Sequence, residues 1–145
     1  MKRPALIFLI LSISLAQRHE YEDEHVRAIG KLTCNGEPYE GAKVRLYDED
    51  FVTPNDQLAE VITEESGTFD VEATTSQLTW LNPVLTILHR CNLTKYYYIC
   101  YLKVEFPIPT KHIGRGRGAK AEPYNLGTLE LKNRARDLSC MSFWF

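Results

Sequence analysis

The sequence predicts an all-β chain folded as a two-sheet β-sandwich of seven or eight short strands. Three observations carry that expectation. Apolar and polar residues alternate with a period of two in segment after segment. Clusters of Gly, Pro, Asn and Asp separate those segments at regular short intervals. No stretch keeps the apolar period of an amphipathic helix. At 145 residues, 44% hydrophobic and 25% charged, the chain fits one globular domain with one core.

The first residues, MKRPALIFLILSISLA, join a basic start at Lys2 and Arg3 to an apolar run from Ala5 to Ala16 that ends in small residues. This pattern predicts a signal peptide over 1–16, cleaved near Ala16 and Gln17, and a secreted, extracellular protein. The run is shorter than the roughly 20 residues a membrane-crossing helix needs, and no later stretch is longer and equally apolar, so no transmembrane segment is expected. Removing the leader leaves 15 basic against 19 acidic side chains, a net charge of −4. A mildly acidic chain does not read as a general binder of nucleic acid.

Residues 17–27, with the charged and aperiodic QRHEYEDEHV, are expected to form a flexible entry segment. The sandwich is expected over 28–140. Gly30, Leu32 and Cys34 alternate with Lys31 and Thr33, and Asn35-Gly36-Glu37-Pro38 supplies turn chemistry. Ala42, Val44 and Leu46 form the inward set of the next strand. Asp48 to Asp56 is an acidic loop. Residues 58–73 read as a hairpin about Gly67, with Phe69, Val71 and Ala73 inward. A short helix is possible around Ser76 to Leu81. PVLTILHRC is apolar on both parities, as in a strand buried on two faces. The strand with Cys100, Leu102, Val104 and Phe106 ends at Pro107 and Pro109, since proline cannot donate to a ladder. A basic, glycine-rich loop follows, then a last strand with Leu129 and Leu131 inward. Residues 141–145 form an aromatic tail.

In an oxidising compartment the four cysteines pair. Four cysteines allow three connectivities, and sequence alone does not choose among them. Locality favours Cys91–Cys100, whose flanking segments look like adjacent strands, and this leaves Cys34–Cys140. The sequon Asn92-Leu93-Thr94 predicts glycosylation at Asn92.

Gly30-Lys31-Leu32-x-Cys34-Asn35-Gly36 opens an ordered set of landmarks. It continues through Val44-x-Leu46-Tyr47-Asp48, Ser66-Gly67-x-Phe69, Pro83, His89-x-Cys91 and Asn125-Leu126-Gly127-x-Leu129-x-Leu131, and closes at Cys140. Together these resemble the nematode transthyretin-like family, from about Ile29 to Cys140. The resemblance implies a secreted, transthyretin or prealbumin-like sandwich with two disulfides, in a family regarded as extracellular binding or signalling proteins rather than enzymes. Related hydrolases of purine breakdown share the fold, but draw on histidine and arginine near the first strands and a chain end like Tyr-Arg-Gly-Ser. Here the first strand offers Lys31 and Thr33, and the chain ends in Phe143-Trp144-Phe145.

Catalytic and metal chemistry find no pattern. His89 and Cys91 near Cys100 lack the usual zinc spacing, and disulfides consume the thiols. His19, His25 and His112 stand apart. Asp48, Glu49, Asp50 and Asp56 fail the EF-hand pattern and read as a solvated loop. No cofactor is expected. Binding surfaces are the stronger candidates. Lys111, His112, Arg115, Arg117 and Lys120 concentrate positive charge among three glycines, suited to an acidic lipid headgroup, a sulfated glycan or an acidic receptor. Tyr96 and Tyr98 share one strand face, Tyr97 and Tyr101 the other, and exposed tyrosines anchor interfaces. The sequence therefore reads as an extracellular binding or adaptor protein with an unidentified receptor or anionic surface as partner. The alternatives are a carrier of small hydrophobic ligands, which would call for a cavity and a homodimer, and a hydroxyisourate-type hydrolase.

Overall fold

The computed structural model describes residues 22–49, 56–77, 80–94, 99–134 and 137–140. They form two five-stranded sheets. The ten strands are β1 (Glu22–Cys34), β2 (Glu37–Pro38), β3 (Lys43–Asp48), β4 (Asp56–Ile62), β5 (Thr68–Gln77), β6 (Pro83–His89), β7 (Cys100–Pro107), β8 (Ile113–Arg115), β9 (Tyr124–Glu130) and β10 (Asp137–Cys140). The count exceeds the expected seven or eight because β2, β8 and β10 are too short to show alternation.

The first sheet is organised on β1. Antiparallel β5 pairs with Glu22 to Lys31 along one edge, and β2 continues that edge at Thr33 and Cys34. Antiparallel β8 pairs with Glu24 to Val26, and parallel β9 with Ala28 to Thr33, on the other. The expected flexible entry segment is thus corrected. From Glu22 onward it is strand, and His25 and Val26 are buried. The first strand begins before residue 28 because β5 and β8 flank it on both sides and satisfy its backbone groups.

The second sheet runs β10-β7-β6-β3-β4, antiparallel throughout. Its centre is β6, buried on both faces along most of its length, as its doubly apolar sequence requires. The expected hairpin over 58–73 is a corner instead, since β4 pairs with β3 and β5 with β1. Buried Thr63 holds that corner. Its hydroxyl donates to the Tyr39 carbonyl at 2.7 Å and accepts the Ala42 N–H at 3.0 Å, so the chain leaves one sheet for the other.

Between the sheets lie Val26, Ala28 and Leu32 of β1, Val44 and Leu46 of β3, Phe69 and Val71 of β5, Leu85 and Ile87 of β6, and Leu129 of β9. These are the positions that the period-two pattern sends inward, and their burial is the main favourable term of the fold.

The β1–β2 turn is tight. Asn35 and Gly36 have φ of 54° and 84°, the two left-handed positions of a type I′ hairpin turn, for which Asn-Gly is the preferred pair. Glu130 at the end of β9 clamps it. Its carboxylate accepts N–H bonds from Gly36 (2.9 Å), Lys132 (3.0 Å) and Asn35 (2.8 Å), and the Thr33 hydroxyl at 2.9 Å. These donors, the Gly36 N–H foremost, stabilise the anion and lower its pKa from 4.5 to about 2.

The disulfides are Cys34–Cys91 and Cys100–Cys140, which corrects the expected Cys91–Cys100 and Cys34–Cys140. The β6–β7 ladder stops at His89 opposite Leu102. Two positions further in the same register would set Cys91 against Cys100. Instead a turn closed by Leu93 N–H to the Arg90 carbonyl at 3.0 Å, with Asn92 at φ 58°, takes Cys91 out of the ladder towards the end of β1. Cys34–Cys91 therefore staples sheet to sheet. Cys100 pairs across the ladder with Cys140, its direct neighbour on β10.

Candidate functional site

The basic loop of 111–120 is built onto the open edge of β1. β7 ends at Pro107, and after Pro109 residues Thr110–His112 form one 3₁₀ turn. Three residues of β8 then pair with Glu24, His25 and Val26. Gly116 N–H donates to the Asp23 carbonyl at 2.8 Å, and Ala119 N–H to the Gly116 carbonyl at 3.1 Å, which closes the tip as a turn. Gly114 lies where a Cβ would stand 2.8 Å from the Ala119 carbonyl oxygen, so only glycine lets the returning loop pass this close.

This placement divides the five residues of the expected basic patch. His112 is committed to the fold, its Nδ1 2.9 Å from the Glu122 carbonyl oxygen and its ring edge-on to Tyr124. Arg115 is committed only in part, since it is exposed and the fold engages only its Nε and one guanidinium face. Its Nε donates to Glu24 at 2.8 Å, and its guanidinium lies 4.4 Å from the centre of the Trp80 ring. Lys111, Arg117 and Lys120 are exposed, and none has an ion-pair partner among the described residues.

Sequence reasoning passed over two residues of this site, Glu24 and Trp80. Glu24 is a buried carboxylate, its side chain 7% exposed, that accepts the Arg115 Nε–H and the Leu81 N–H, each at 2.8 Å. It ties β1, β8 and the approach to β6 together. Trp80 precedes Leu81 and is 75% exposed. The possible helix over Ser76 to Leu81 is not formed at its start, where Ser76 belongs to β5. A lone tryptophan outside any periodic segment gives no signal of its role, and Glu24 hides in a charged, aperiodic run that reads as a flexible entry segment.

The other expected sites fall as follows. Tyr96, Tyr97 and Tyr98, the leader, Asp50 and the aromatic tail lie outside the described residues. Tyr101 lies on the outer face of the second sheet, with Lys43 Nζ 5.0 Å and Arg90 4.4 Å from its ring centre. Asn92 is exposed beside the Cys34–Cys91 bridge, and its amide exchanges two hydrogen bonds with that of Asn35, at 3.0 and 3.3 Å. The acidic loop is not simply solvated. Asp48 is buried and accepts the Asn82 N–H at 2.8 Å, because it must hold the approach to β6.

His89 is 1% exposed. Its Nδ1 accepts the Cys91 N–H at 3.2 Å, and burial lowers its pKa to about 4. His25, also buried, has Nε2 3.2 Å from a Glu72 carboxylate oxygen. The described residues hold no group of three or more His, Cys, Asp or Glu placed to bind a metal ion. None of their helices is long and apolar enough to cross a membrane.

A sequence model described as the transthyretin-like family matches residues 29–109. The chain belongs to the transthyretin-like family. It is 33% identical over 103 residues to transthyretin-like protein 5 of Caenorhabditis elegans, covering 70% of this chain and 72% of that one. Transthyretin-like protein 46 of the same nematode is 29% identical over 128 residues, 88% of this chain and 68% of its own. Transthyretin-like protein 2 is 27% identical over 143 residues, 92% and 93% of the two chains. A likeness to part of a 9R-lipoxygenase from Cyanothece has a TM-score of 0.41 at 17% identity, covers 74% of this chain and 16% of that one, and is too loose to bear on function. The family match ends before the 3₁₀ turn and does not include the basic loop.

Proposed function

We propose that this transthyretin-like protein is a secreted binding or adaptor protein, not an enzyme, that meets an acidic cell-surface partner through the cations at the β8 end. The observation that carries the reading is the exposure of Lys111, Arg117 and Lys120, without ion-pair partners among the described residues, on a loop held in shape by β1. A fixed loop presents charge without first having to order itself, which favours recognition. The leader pattern, two disulfides and the sequon at Asn92 support an extracellular setting and glycosylation.

The rival readings find less support. A carrier would need an apolar chamber. The groove of about 610 Å³ on the second sheet is open and lined by Arg45, Tyr47, Thr86, Lys103 and Glu105 among others. A hydrolase would need an accessible base beside a nucleophile, whereas His89 is buried next to a disulfide.

The test is co-sedimentation of the secreted, glycosylated protein with phosphatidylserine-containing and neutral vesicles, together with retention on heparin resin, across a salt series. Binding to an acidic surface that weakens with salt and is lost in Lys111→Ala/Arg117→Ala/Lys120→Ala is expected. No salt-sensitive binding to either acidic surface would sink the proposal, and turnover of hydroxyisourate above background would revive the enzyme.

A further inference from the structure

The geometry points to an acidic glycan as the partner, bound where Trp80 and Arg115 stand together at the end of the first sheet. This inference rests on the reading above that the β8 end recognises an anionic partner, and it narrows the class of that partner.

Trp80 is 75% exposed, so its ring contributes little to the core. It is nevertheless held in place. Arg115 stacks at 4.4 Å from the ring centre, and buried Glu24 fixes Arg115 through Nε and the adjacent Leu81 through its N–H. A buried carboxylate thus sets the position of an exposed aromatic and of a planar guanidinium whose other N–H groups have no partner among the described residues. Large aromatics and arginines held this rigidly are the usual anchors of a binding surface, because little side-chain freedom is lost on contact.

The two groups ask for different chemistry. A tryptophan face with open surroundings accepts the C–H-rich face of a flat apolar or saccharide ring. A fixed guanidinium fork donates two parallel N–H bonds to an oxyanion. A uronic-acid or sulfated sugar unit supplies both within one residue. Arg117, in the Gly116–Ala119 turn directly after β8, adds a cation for the next unit of a chain. An acidic bilayer fits this end less well, since Glu22 and Asp23 of β1 lie at the same end, with Glu22 exposed and Asp23 half-buried. A continuous negative surface would repel them, whereas the spaced charges of a glycan chain need not approach them.

The test uses the full secreted protein carrying Trp144→Phe, which leaves Trp80 as the single remaining tryptophan of the two. Heparin-derived and hyaluronan oligosaccharides are titrated against its fluorescence and by calorimetry, with neutral chitin oligosaccharides as the comparison. A shift in Trp80 emission, and affinity for the acidic sugars that falls at least about tenfold in Trp80→Ala and returns in part in Trp80→Phe, is expected. Because Trp80 lies outside the core, both variants should unfold at the parent's urea midpoint. Three results would overturn the inference: unchanged binding in Trp80→Ala, neutral sugars that bind as tightly as acidic ones, or no oligosaccharide binding at all. Vesicle binding lost in Lys111→Ala/Arg117→Ala/Lys120→Ala would leave the broader reading standing in each case.

Discussion

Acid should weaken this fold through His89, in a window set by that one ring. Its Nδ1 accepts the Cys91 N–H at 3.2 Å, its Nε2 is buried without a hydrogen-bond partner among the described residues, and the Tyr39 ring packs edge-on at 6.3 Å. Protonation would place a hydrogen on Nδ1 facing the Cys91 N–H and a charge in an apolar setting. Burial therefore lowers the pKa from its ordinary 6.5 to about 4. Between those values the unfolded chain binds a proton that the folded chain refuses. Stability is then full above about pH 6.5 and falls as the pH drops towards 4. Integrated from pH 7 to pH 5, the loss is about 2 kcal/mol. With an m-value of about 2 kcal/mol per molar urea, that moves the unfolding midpoint down by about 1 M. The assay is urea unfolding without reductant at pH 7, 6 and 5, for the parent protein and for His89→Phe, each compared with itself. The variant should lose most of the slope, whatever its stability at pH 7. A midpoint that stays level in the parent, or falls equally in the variant, would refute the assignment to His89.

Further outcomes are open to direct measurement. Peptide mapping without reduction should recover Cys34–Cys91 and Cys100–Cys140, and a Cys91–Cys100 peptide would overturn the account of the turn at Asn92. Leu46→Ala, at a fully buried position between the sheets, should cost about 2–5 kcal/mol in urea unfolding. Glu130→Gln should destabilise the β1–β2 turn at neutral pH. It should also flatten the loss of stability that the parent shows as pH falls from 4.5 to about 2, the window in which the Glu130 carboxylate is protonated.

The architecture was legible where side chains obey one rule at a time. Val44 and Leu46, Phe69 and Val71, and the doubly apolar β6 all sit where alternation and hydrophobicity send them. The start of β1 was not legible. Glu24 shares a side with Val26 and Ala28 but is charged, and only its bonds to Leu81 and Arg115 explain its burial. Those partners are 57 and 91 residues away, so no local pattern contains them. The disulfides failed for a related reason. The adjacency of β6 and β7 is legible in the sequence, yet the turn over 90–93, with Asn92 left-handed, takes Cys91 away before the ladder reaches it. The candidate site was legible in half. A run of cations shows in sequence, but which of them the fold consumes depends on the acidic end of β1 lying alongside.

Because β1 is the spine of its sheet, the order of synthesis matters. The ribosome makes it first among the strands, and β5 can cover one edge once residue 77 has emerged. The other edge waits for β8 and β9, so Ala28 to Thr33 have no partner on that side until residues 124–130 follow. At ribosomal speeds the interval is roughly 3–10 s, long compared with the time a hairpin needs to form. Throughout it, the nascent chain carries a strand with one edge open to whatever strand it meets, and Cys34 has its partner Cys91 available before the sheet it belongs to is closed. Yield in a secretory host should therefore depend on how quickly the last third of the chain follows the first.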